Sequence, residues 1–145
     1  MPENGSTGTT RPTVSDVDAR SVLAAAVSEA STMGVPVTVV VVDESGVLKS
    51  MVRQDGAPLV SIETATNKAY AAAAIGMPPD DFYAAIESDG AAVASFATRP
   101  GLALIAGGIP ILVGGRVAGA VGVAGAMTGA EDRRIAEVGA NQIAG

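Results

Sequence analysis

The feature that most constrains this chain is a segment in which two apolar strands are joined by a polar turn and lead into a helix. A near-continuous β-branched run over residues 37–42 predicts a strand that is covered on both faces. The turn at 44–46 leads into a second strand over 47–53, where alternating residues leave one face mixed in polarity. Pro58 suits the first turn of a helix that extends to Ile75. Because such a hairpin must pack against a helix, the segment restricts the chain to a layered fold.

The rest of the chain supplies further helices and strands around this hairpin. Apolar residues spaced by three and four over 15–33 predict a first helix that ends at Gly34, and Thr13 and Ser15 both offer an N-cap oxygen. Further elements are predicted as a helix over 80–87, strands over 102–106, 109–113 and 117–124, and a final helix from a capping box at Thr128. The segment 88–101 is the least readable part of the chain. We therefore expect an α+β fold, with a five-stranded, largely antiparallel sheet flanked by helices.

Length and composition predict one domain that associates with itself. The 145 residues fit a single domain, and the Gly, Thr and Pro content of residues 1–13 predicts a flexible tail before a domain over 14–145. Only 3% of the residues are aromatic although 48% are hydrophobic, so the core must consist of small aliphatic side chains. So much apolar surface for this size favours a homo-oligomer, either a dimer or a higher ring.

Charge and missing residue types exclude several functions. A net charge of −6 opposes binding to a phosphate backbone, so nucleic acid is not an expected partner. The chain has no Cys and no His, which excludes disulfides, thiolate catalysis and the commonest metal ligands. Glu131 and Asp132 could bind a metal with Asp43 or Glu44, but the capping box already explains Glu131, so no metal site is predicted. Neither a secretory signal nor an apolar tract of about 20 residues is present, so we expect a cytoplasmic protein without a membrane segment.

Three polar residues near the hairpin form the first candidate site. Arg53 and Asp55 follow the second predicted strand, and Lys68 lies on a helix face otherwise made of Ala. Such a Lys can serve as a base, a Schiff-base amine or an anion anchor, so Lys68 and Asp55 are the predicted catalytic residues, and Arg53 and Lys68 are predicted ligand-binding residues. The alternative for Lys68 is a structural ion pair with Asp43, Asp55 or Glu63. Both interpretations stay open at this point.

Loop and corner residues form a second set of ligand-binding candidates. The stretch 122–128 joins a Gly-rich strand to the last helix, where free N–H groups and the helix dipole suit a carboxylate or phosphate. The alternative is that its glycines only allow close packing against an Ala-rich helix. The remaining polar candidates lie on predicted loops and turns. The ligand-binding candidates of this second set are Gly125, Thr128, Thr98, Arg99 and Arg116.

Five motifs, taken in order, resemble one protein family. They are Val-Asp-x-x-Gly at 42–46, Arg-Gln-Asp-Gly-Ala-Pro at 53–58, Lys-Ala at 68–69, Gly-Gly-Ile-Pro at 107–110 and Gly-Ala-Val-Gly-Val-Ala-Gly at 119–125. This set resembles the GlcG/HbpS-type haem-binding or haem-degrading domains, and it is similar to the C-terminal domain of PduO-type proteins. The resemblance implies a profilin-like fold, assembly into dimers or larger rings and, in some members, haem bound in a cleft near a subunit contact.

The resemblance and the composition lead to two functional hypotheses. The first is a binding module for haem or another flat, carboxylate-bearing ligand, with Arg53, Lys68 and Arg116 facing its anionic groups. The second is a cofactor-independent enzyme, such as an isomerase, hydratase, cyclase or hydrolase, that acts on a small organic acid or aromatic metabolite in a catabolic or biosynthetic pathway. An oligomeric scaffold without a ligand is a third option. Without His or Cys, a haem iron would take a hydroxyl, a water or one of the following side chains as its ligand: Met33, Met51, Met77, Met127, Tyr70 or Tyr83.

Overall fold

The computed structural model describes residues 7–143, which form five helices and four strands. In chain order these are α1 (Asp16–Met33), β1 (Thr38–Asp43), β2 (Leu48–Arg53), α2 (Ser61–Ile75), α3 (Pro79–Ile86), α4 (Gly90–Ala97), β3 (Gly108–Val113), β4 (Arg116–Ala124) and α5 (Gly129–Ala140). The strands form one sheet in the order β2-β1-β4-β3, and every neighbouring pair is antiparallel. The predicted α+β class and antiparallel sheet are confirmed. Among the helices of the described residues, none is long and apolar enough to cross a membrane.

The sheet has four strands, so the prediction of a fifth strand over 102–106 is wrong. That segment is irregular, and backbone pairing begins after it, where the Val123 N–H donates to the Gly107 carbonyl at 2.8 Å. Gly107 has a φ of +129°, so the chain turns there immediately before β3. An apolar run without alternation cannot be distinguished by pattern from partly buried coil. The segment 88–101, which was the least readable part of the sequence, contains α4.

Helices cover both faces of the sheet and make a three-layer structure. On one face, α1 and α5 pack against a core that includes Val39, Val41 and Val123. On the other face, α2 packs against a core that includes Val40 and Ala120. Successive side chains of β1 point to opposite faces, which explains why its β-branched run is buried on both sides. Because α2 lies mainly over β4, β3 and β1, its side of β2 is the least covered part of the sheet.

The chain before α1 lies along the sheet. The Val14 N–H donates to the Ala118 carbonyl at 2.9 Å, and the Arg116 guanidinium donates to the Thr10 carbonyl at 2.5 Å. Of the two predicted N-cap residues, Ser15 caps α1, since its side chain accepts from the backbone N–H of the third residue of the helix. Residues 1–6 lie outside the described residues, so the tail over 1–13 and the domain over 14–145 stay predictions.

An arginine on α5 binds two carboxylates at the start of α3. The Arg133 side chain donates to Asp80 at 2.8 Å, to Asp81 at 2.7 Å and to Glu137 at 3.1 Å. Hydrogen bonding from this guanidinium lowers the pKa of Asp81, and the hydrogen bond to Asp81, followed by that to Asp80, raises the pKa of Arg133. Asp81 therefore stays ionised to a lower pH in the folded protein than in the unfolded chain.

We expect Asp81→Asn to lower the free energy of unfolding at pH 7 by about 0.5–1 kcal/mol, a small effect because the pair is partly exposed. A carboxylate whose pKa is lowered by folding stabilises the protein above its unfolded-state pKa, and this stabilisation is lost as the pH falls through the folded-state pKa. The deficit of the variant should therefore shrink below about pH 4. Urea unfolding at pH 7 and near pH 2.5 measures the deficit, with the exposed Glu87→Gln as control. Asp80 and Glu137 keep their own contacts to Arg133 in the variant. A deficit of equal size at both pH values would contradict the electrostatic explanation.

Candidate functional site

Lys68 is a buried ion-pair partner that connects the two helical layers. Its side chain is 3% exposed, and Nζ lies 3.0 Å from the Val123 carbonyl oxygen and 3.0 Å from Asp132 Oδ2. Because Lys68 lies on α2 and Asp132 on α5, the pair joins helices that pack on opposite faces of the sheet. The structure thus supports a structural ion pair but with a different partner from the three predicted, which were Asp43, Asp55 and Glu63.

Two glycines make room for this lysine. A Cβ on Gly107 would lie 2.5 Å from the Val123 carbonyl oxygen and 2.8 Å from Lys68 Nζ. A Cβ on Gly108 would collide with the backbone carbonyl of Lys68. The Gly-Gly motif and the Lys motif are about 40 residues apart in the sequence. In the fold they pack directly against each other.

Carboxylates of α5 occupy the backbone amides of the predicted anion-binding corner. The Ala126 N–H donates to Asp132 Oδ1 at 3.0 Å, so this carboxylate serves two partners. The N–H groups of Met127 and Thr128 donate to Glu131 Oε1 at 3.1 and 3.3 Å. The three donors that an anion would need at these positions are therefore already bound within the chain.

The capping box at the start of α5 is confirmed. Thr128 Oγ1 accepts from the Glu131 N–H at 3.2 Å, and the Glu131 carboxylate accepts from the Thr128 N–H in return. An anion at this corner would have to displace bonds of the box. A ligand role for Gly125 and Thr128 stays a prediction, but it can no longer be based on free N–H groups at positions 126–128.

Arg53 and Asp55 line an open hollow between the C-terminus of α1 and the end of β2. The hollow has a volume of about 650 Å³, and its walls include Ser31 and Pro36. Arg53 is exposed, and its Nη1 donates to the Ala57 carbonyl at 3.4 Å. Lys68 does not line this hollow. The structure thus brings together two residues of the predicted three and places the third elsewhere, in a buried position.

The side chain of Gln54, which the sequence analysis did not single out, builds the floor of the hollow. Its Oε1 accepts from the Val37 N–H at 2.9 Å, and its Nε2 donates to Ser31 Oγ at 3.2 Å. One side chain therefore ties the end of β2 to the start of β1 and to α1. Two sequence signals pointed to this residue, namely its place directly after a predicted strand and its membership in the motif at 53–58.

The face of β2 that α2 leaves open carries apolar side chains. The strand register shifts by one residue between Ser50 and Leu48, so Leu48 pairs with Val42 and Met51 pairs with Val40. Paired residues share a face, and both valines belong to the core beside α2. Leu48 is 53% exposed and Met51 39% exposed. Strict alternation along the predicted strand would place these two side chains on different faces, and the register shift corrects that expectation.

Tyr70 and Arg53 border this apolar surface. A Cβ on Gly46 would lie 2.7 Å from the Tyr70 ring, so the ring lies against the turn between β1 and β2. Arg53 pairs with Thr38, whose hydroxyl contacts the first residue of α2, so Arg53 ends the strand on the same side. We define Leu48, Met51, Arg53 and Tyr70 as the β2 strip.

Thr98 and Arg99 lie at the end of α4. Thr98 is the C-cap residue, and its Oγ1 donates to the Ser95 carbonyl at 3.3 Å. The Arg99 guanidinium lies 4.5 Å from the centre of the Phe96 ring, which is a cation–π contact. Both residues are exposed, and their ligand roles stay predictions.

Arg116 lies at the opposite end of the sheet from Arg53. Arg53 pairs with Thr38, and Thr38 pairs with Ala124 at the last position of β4. Arg116 is the first residue of β4 and contacts Thr10. Within one chain, Arg53 and Arg116 therefore cannot face the same ligand.

Comparison with solved structures shows which proteins share this architecture. HbpS matches with a TM-score of 0.87 at 29% identity over 100% of both chains, and a double mutant of HbpS from Streptomyces reticuli matches equally well over 97% of its length. PduOC, solved as a heme complex, matches with a TM-score of 0.81 at 26% identity, over 90% of this chain and 95% of its own. The fold is therefore that of the HbpS and PduOC structures, an α+β domain with helices on both faces of an antiparallel sheet.

The sequence comparisons identify the family. The model of the haem-degrading protein HbpS-like family matches residues 14–141, and this chain belongs to that family. An uncharacterised 15.0 kDa protein from the dhaT-dhaS intergenic region of Citrobacter freundii is 30% identical over 126 residues, which are 86% of this chain and 88% of that protein. The resemblance predicted from the five motifs is thereby confirmed.

Proposed function

We propose that this chain is a small-molecule-binding domain for haem or another flat, carboxylate-bearing ligand, and that the ligand binds on the β2 strip. The observation that carries the proposal is the uncovered sheet face, which presents exposed apolar side chains and ends at an arginine. A flat ligand can bury its apolar surface on such a face while its carboxylate reaches the guanidinium.

The relatives support a haem-related ligand. The family takes its description from haem degradation, and PduOC was solved with heme bound. These are properties of the relatives, and for this chain they indicate a chemical class of ligand. We propose that this chain binds such a ligand, because the β2 strip offers an apolar surface and an arginine that can contact it.

The side chains of the β2 strip fit a haem group in two respects. Met51 and Tyr70 present a thioether and a phenol, and both groups serve as iron ligands in haem proteins. Within residues 7–143, Arg53 donates one hydrogen bond, a long one, so most of its guanidinium donors are available for a carboxylate. A bound haem would supply the iron centre, while these residues bind and orient the group.

Titration of the purified protein with hemin tests the proposal. We expect a saturable shift of the Soret band at one hemin per chain. Arg53→Gln should weaken binding about fivefold, because it removes a charge-assisted hydrogen bond to a carboxylate. Arg20→Gln is the matched control, since Arg20 is an exposed cation near the other end of α1, and it should leave the affinity unchanged. Absorbance that rises without saturation, or equal affinities for both variants, would contradict the proposed site.

Two further features belong to this proposal. A homo-oligomer, as a dimer or a higher ring, would cover apolar side chains that are exposed in the single chain, such as Leu59 at 78% and Met127 at 87%. Sedimentation of the purified protein tests the assembly. The cytoplasmic location stays a prediction from the sequence.

The cofactor-independent enzyme stays a second hypothesis, and its catalytic residues stay predictions. Asp55 lies exposed on the hollow, whereas Lys68 is buried and bonded to Asp132. A reaction that needs both groups on one substrate would require a large rearrangement of α2 or of the residues around it.

A further inference from the structure

We infer that the hollow between α1 and β2 binds a small zwitterion, a molecule that carries one carboxylate and one ammonium group. This inference goes beyond the proposed haem-related function, because the hollow lies mainly on the other face of β2, although both sites use Arg53. Val52 lines the hollow and pairs with Val39 on the α1 side, whereas Met51 pairs with Val40 on the α2 side. Among the described residues of β2, Arg53, at the end of the strand, belongs to the β2 strip and also lines the hollow.

One residue of each charge, Arg53 and Asp55, lines the hollow, and neither charged group is neutralised within the described chain. Arg53 donates a single hydrogen bond, to the Ala57 carbonyl at 3.4 Å. Among residues 7–143, the Asp55 carboxylate has no hydrogen bond and no ion pair, and it is not bridged to Arg53. Because the two charged groups do not neutralise each other, each is able to bind a ligand group.

The C-terminus of α1 strengthens the preference for a cation on one wall. The last turn of α1 has no basic residue, so the negative end of the helix dipole is not compensated by a side chain of the helix. Gly34, which caps the helix in the left-handed conformation at φ +74°, lines the hollow. An ammonium group between this helix end and Asp55 would meet negative potential on two sides.

The hollow is preformed and has a suitable size. Gln54 holds its floor through bonds to Val37 and Ser31, so the walls do not have to be ordered by the ligand. A volume of about 650 Å³ lies within the range of about 300–1,000 Å³ that is typical of small-molecule pockets. The opening to solvent restricts the expected affinity, because exposed charge pairs contribute little and are screened by salt.

Calorimetric titration at low ionic strength tests this inference with three zwitterions of increasing length: glycine, 4-aminobutyrate and 6-aminohexanoate. Butyrate and butylamine are the matched controls, because each lacks one of the two charges of 4-aminobutyrate. We expect at least one zwitterion to bind about tenfold more tightly than either singly charged control. If no zwitterion binds more tightly than butyrate and butylamine, the inference is wrong.

Variants then assign the binding to the hollow. Asp55→Asn should abolish the advantage of the zwitterion over butyrate, and Glu87→Gln, an exposed carboxylate at the end of α3, should preserve it. Hemin titration of Asp55→Asn separates the two proposals, because hemin affinity should not change. An advantage that survives Asp55→Asn would overturn the zwitterion site, while a failure of the unmodified protein to bind hemin would overturn only the proposed function.

Discussion

Lys68→Met should lower the free energy of unfolding by about 3–5 kcal/mol. The substitution keeps a side chain of similar length but removes the cation from Asp132, whose side chain is only 7% exposed. Of its partners in the described part of the chain, such a charge retains only the hydrogen bond from the Ala126 N–H, which does not offset its desolvation. Because the pair joins α2 to α5, we also expect the two helical layers to separate more easily.

Urea unfolding followed by far-UV circular dichroism measures this effect. Arg20→Met is the control, since it breaks an ion pair whose side chains are 65% and 70% exposed, and it should cost about 0.5 kcal/mol or less. The double variant Lys68→Met/Asp132→Asn should be more stable than Lys68→Met alone, because the amide keeps an acceptor for Ala126 without a buried charge. A loss below about 1 kcal/mol for Lys68→Met would show that the pair is not buried in solution.

Gly122→Ala should lower the free energy of unfolding by about 3 kcal/mol, at the upper end of the range for overpacked cores. A Cβ at this position would lie 2.5 Å from the Ala69 backbone nitrogen and would also collide with the Ala65 carbonyl oxygen. Both contacts are with the backbone of α2, so no side-chain rotation can relieve them. The helix would have to move away from β4, which would open the small-residue core on this face.

Gly90→Ala is the matched control for this substitution. Gly90 begins α4 and does not need a positive φ, and a Cβ added there would meet no atom within 4 Å. Its replacement should leave stability unchanged or raise it slightly, by up to about 1 kcal/mol. The second-site change Ala69→Gly should not rescue Gly122→Ala, since it removes a side-chain contact and leaves both backbone collisions. Equal unfolding free energies for Gly122→Ala and Gly90→Ala would contradict the close approach of α2 to β4.

Most elements of the fold could be predicted from local patterns. The helix from 15 to 33 was predicted within one residue of α1, because its apolar spacing and its Ser15 cap lie within the segment itself. The capping box at Thr128 was likewise read from residues three apart. The profilin-like description, by contrast, came only from the resemblance and stays a prediction.

The prediction of the fold was wrong where the pairing between strands decides the structure. The apolar run over 102–106 has the composition of a strand but lies outside the sheet, because pairing with β4 begins only at Gly107. The register shift near Leu48 moved that side chain to the face of Met51, which strict alternation could not predict. Both depend on a neighbouring strand that a single segment does not reveal.

The sequence predicted which residues belong to the candidate site better than it predicted how they are arranged. Arg53 and Asp55 share the hollow, as their closeness in the sequence suggested. Lys68 was recognised as unusual among alanines, but its partner is 64 residues away in the sequence and was assigned incorrectly. The amides of the 126–128 corner were expected to be free, yet carboxylates on the following helix bind them.

The sequence by itself determined the helices, the buried β-branched strand and the helix caps, because these depend on contacts between residues at most a few positions apart. Only the tertiary structure decided that Lys68 pairs with Asp132 and that Gln54 closes the hollow beneath Arg53 and Asp55. The reason is physical: an ionised group takes whichever opposite charge the packing of distant helices places within hydrogen-bond distance, and no local pattern encodes that distance.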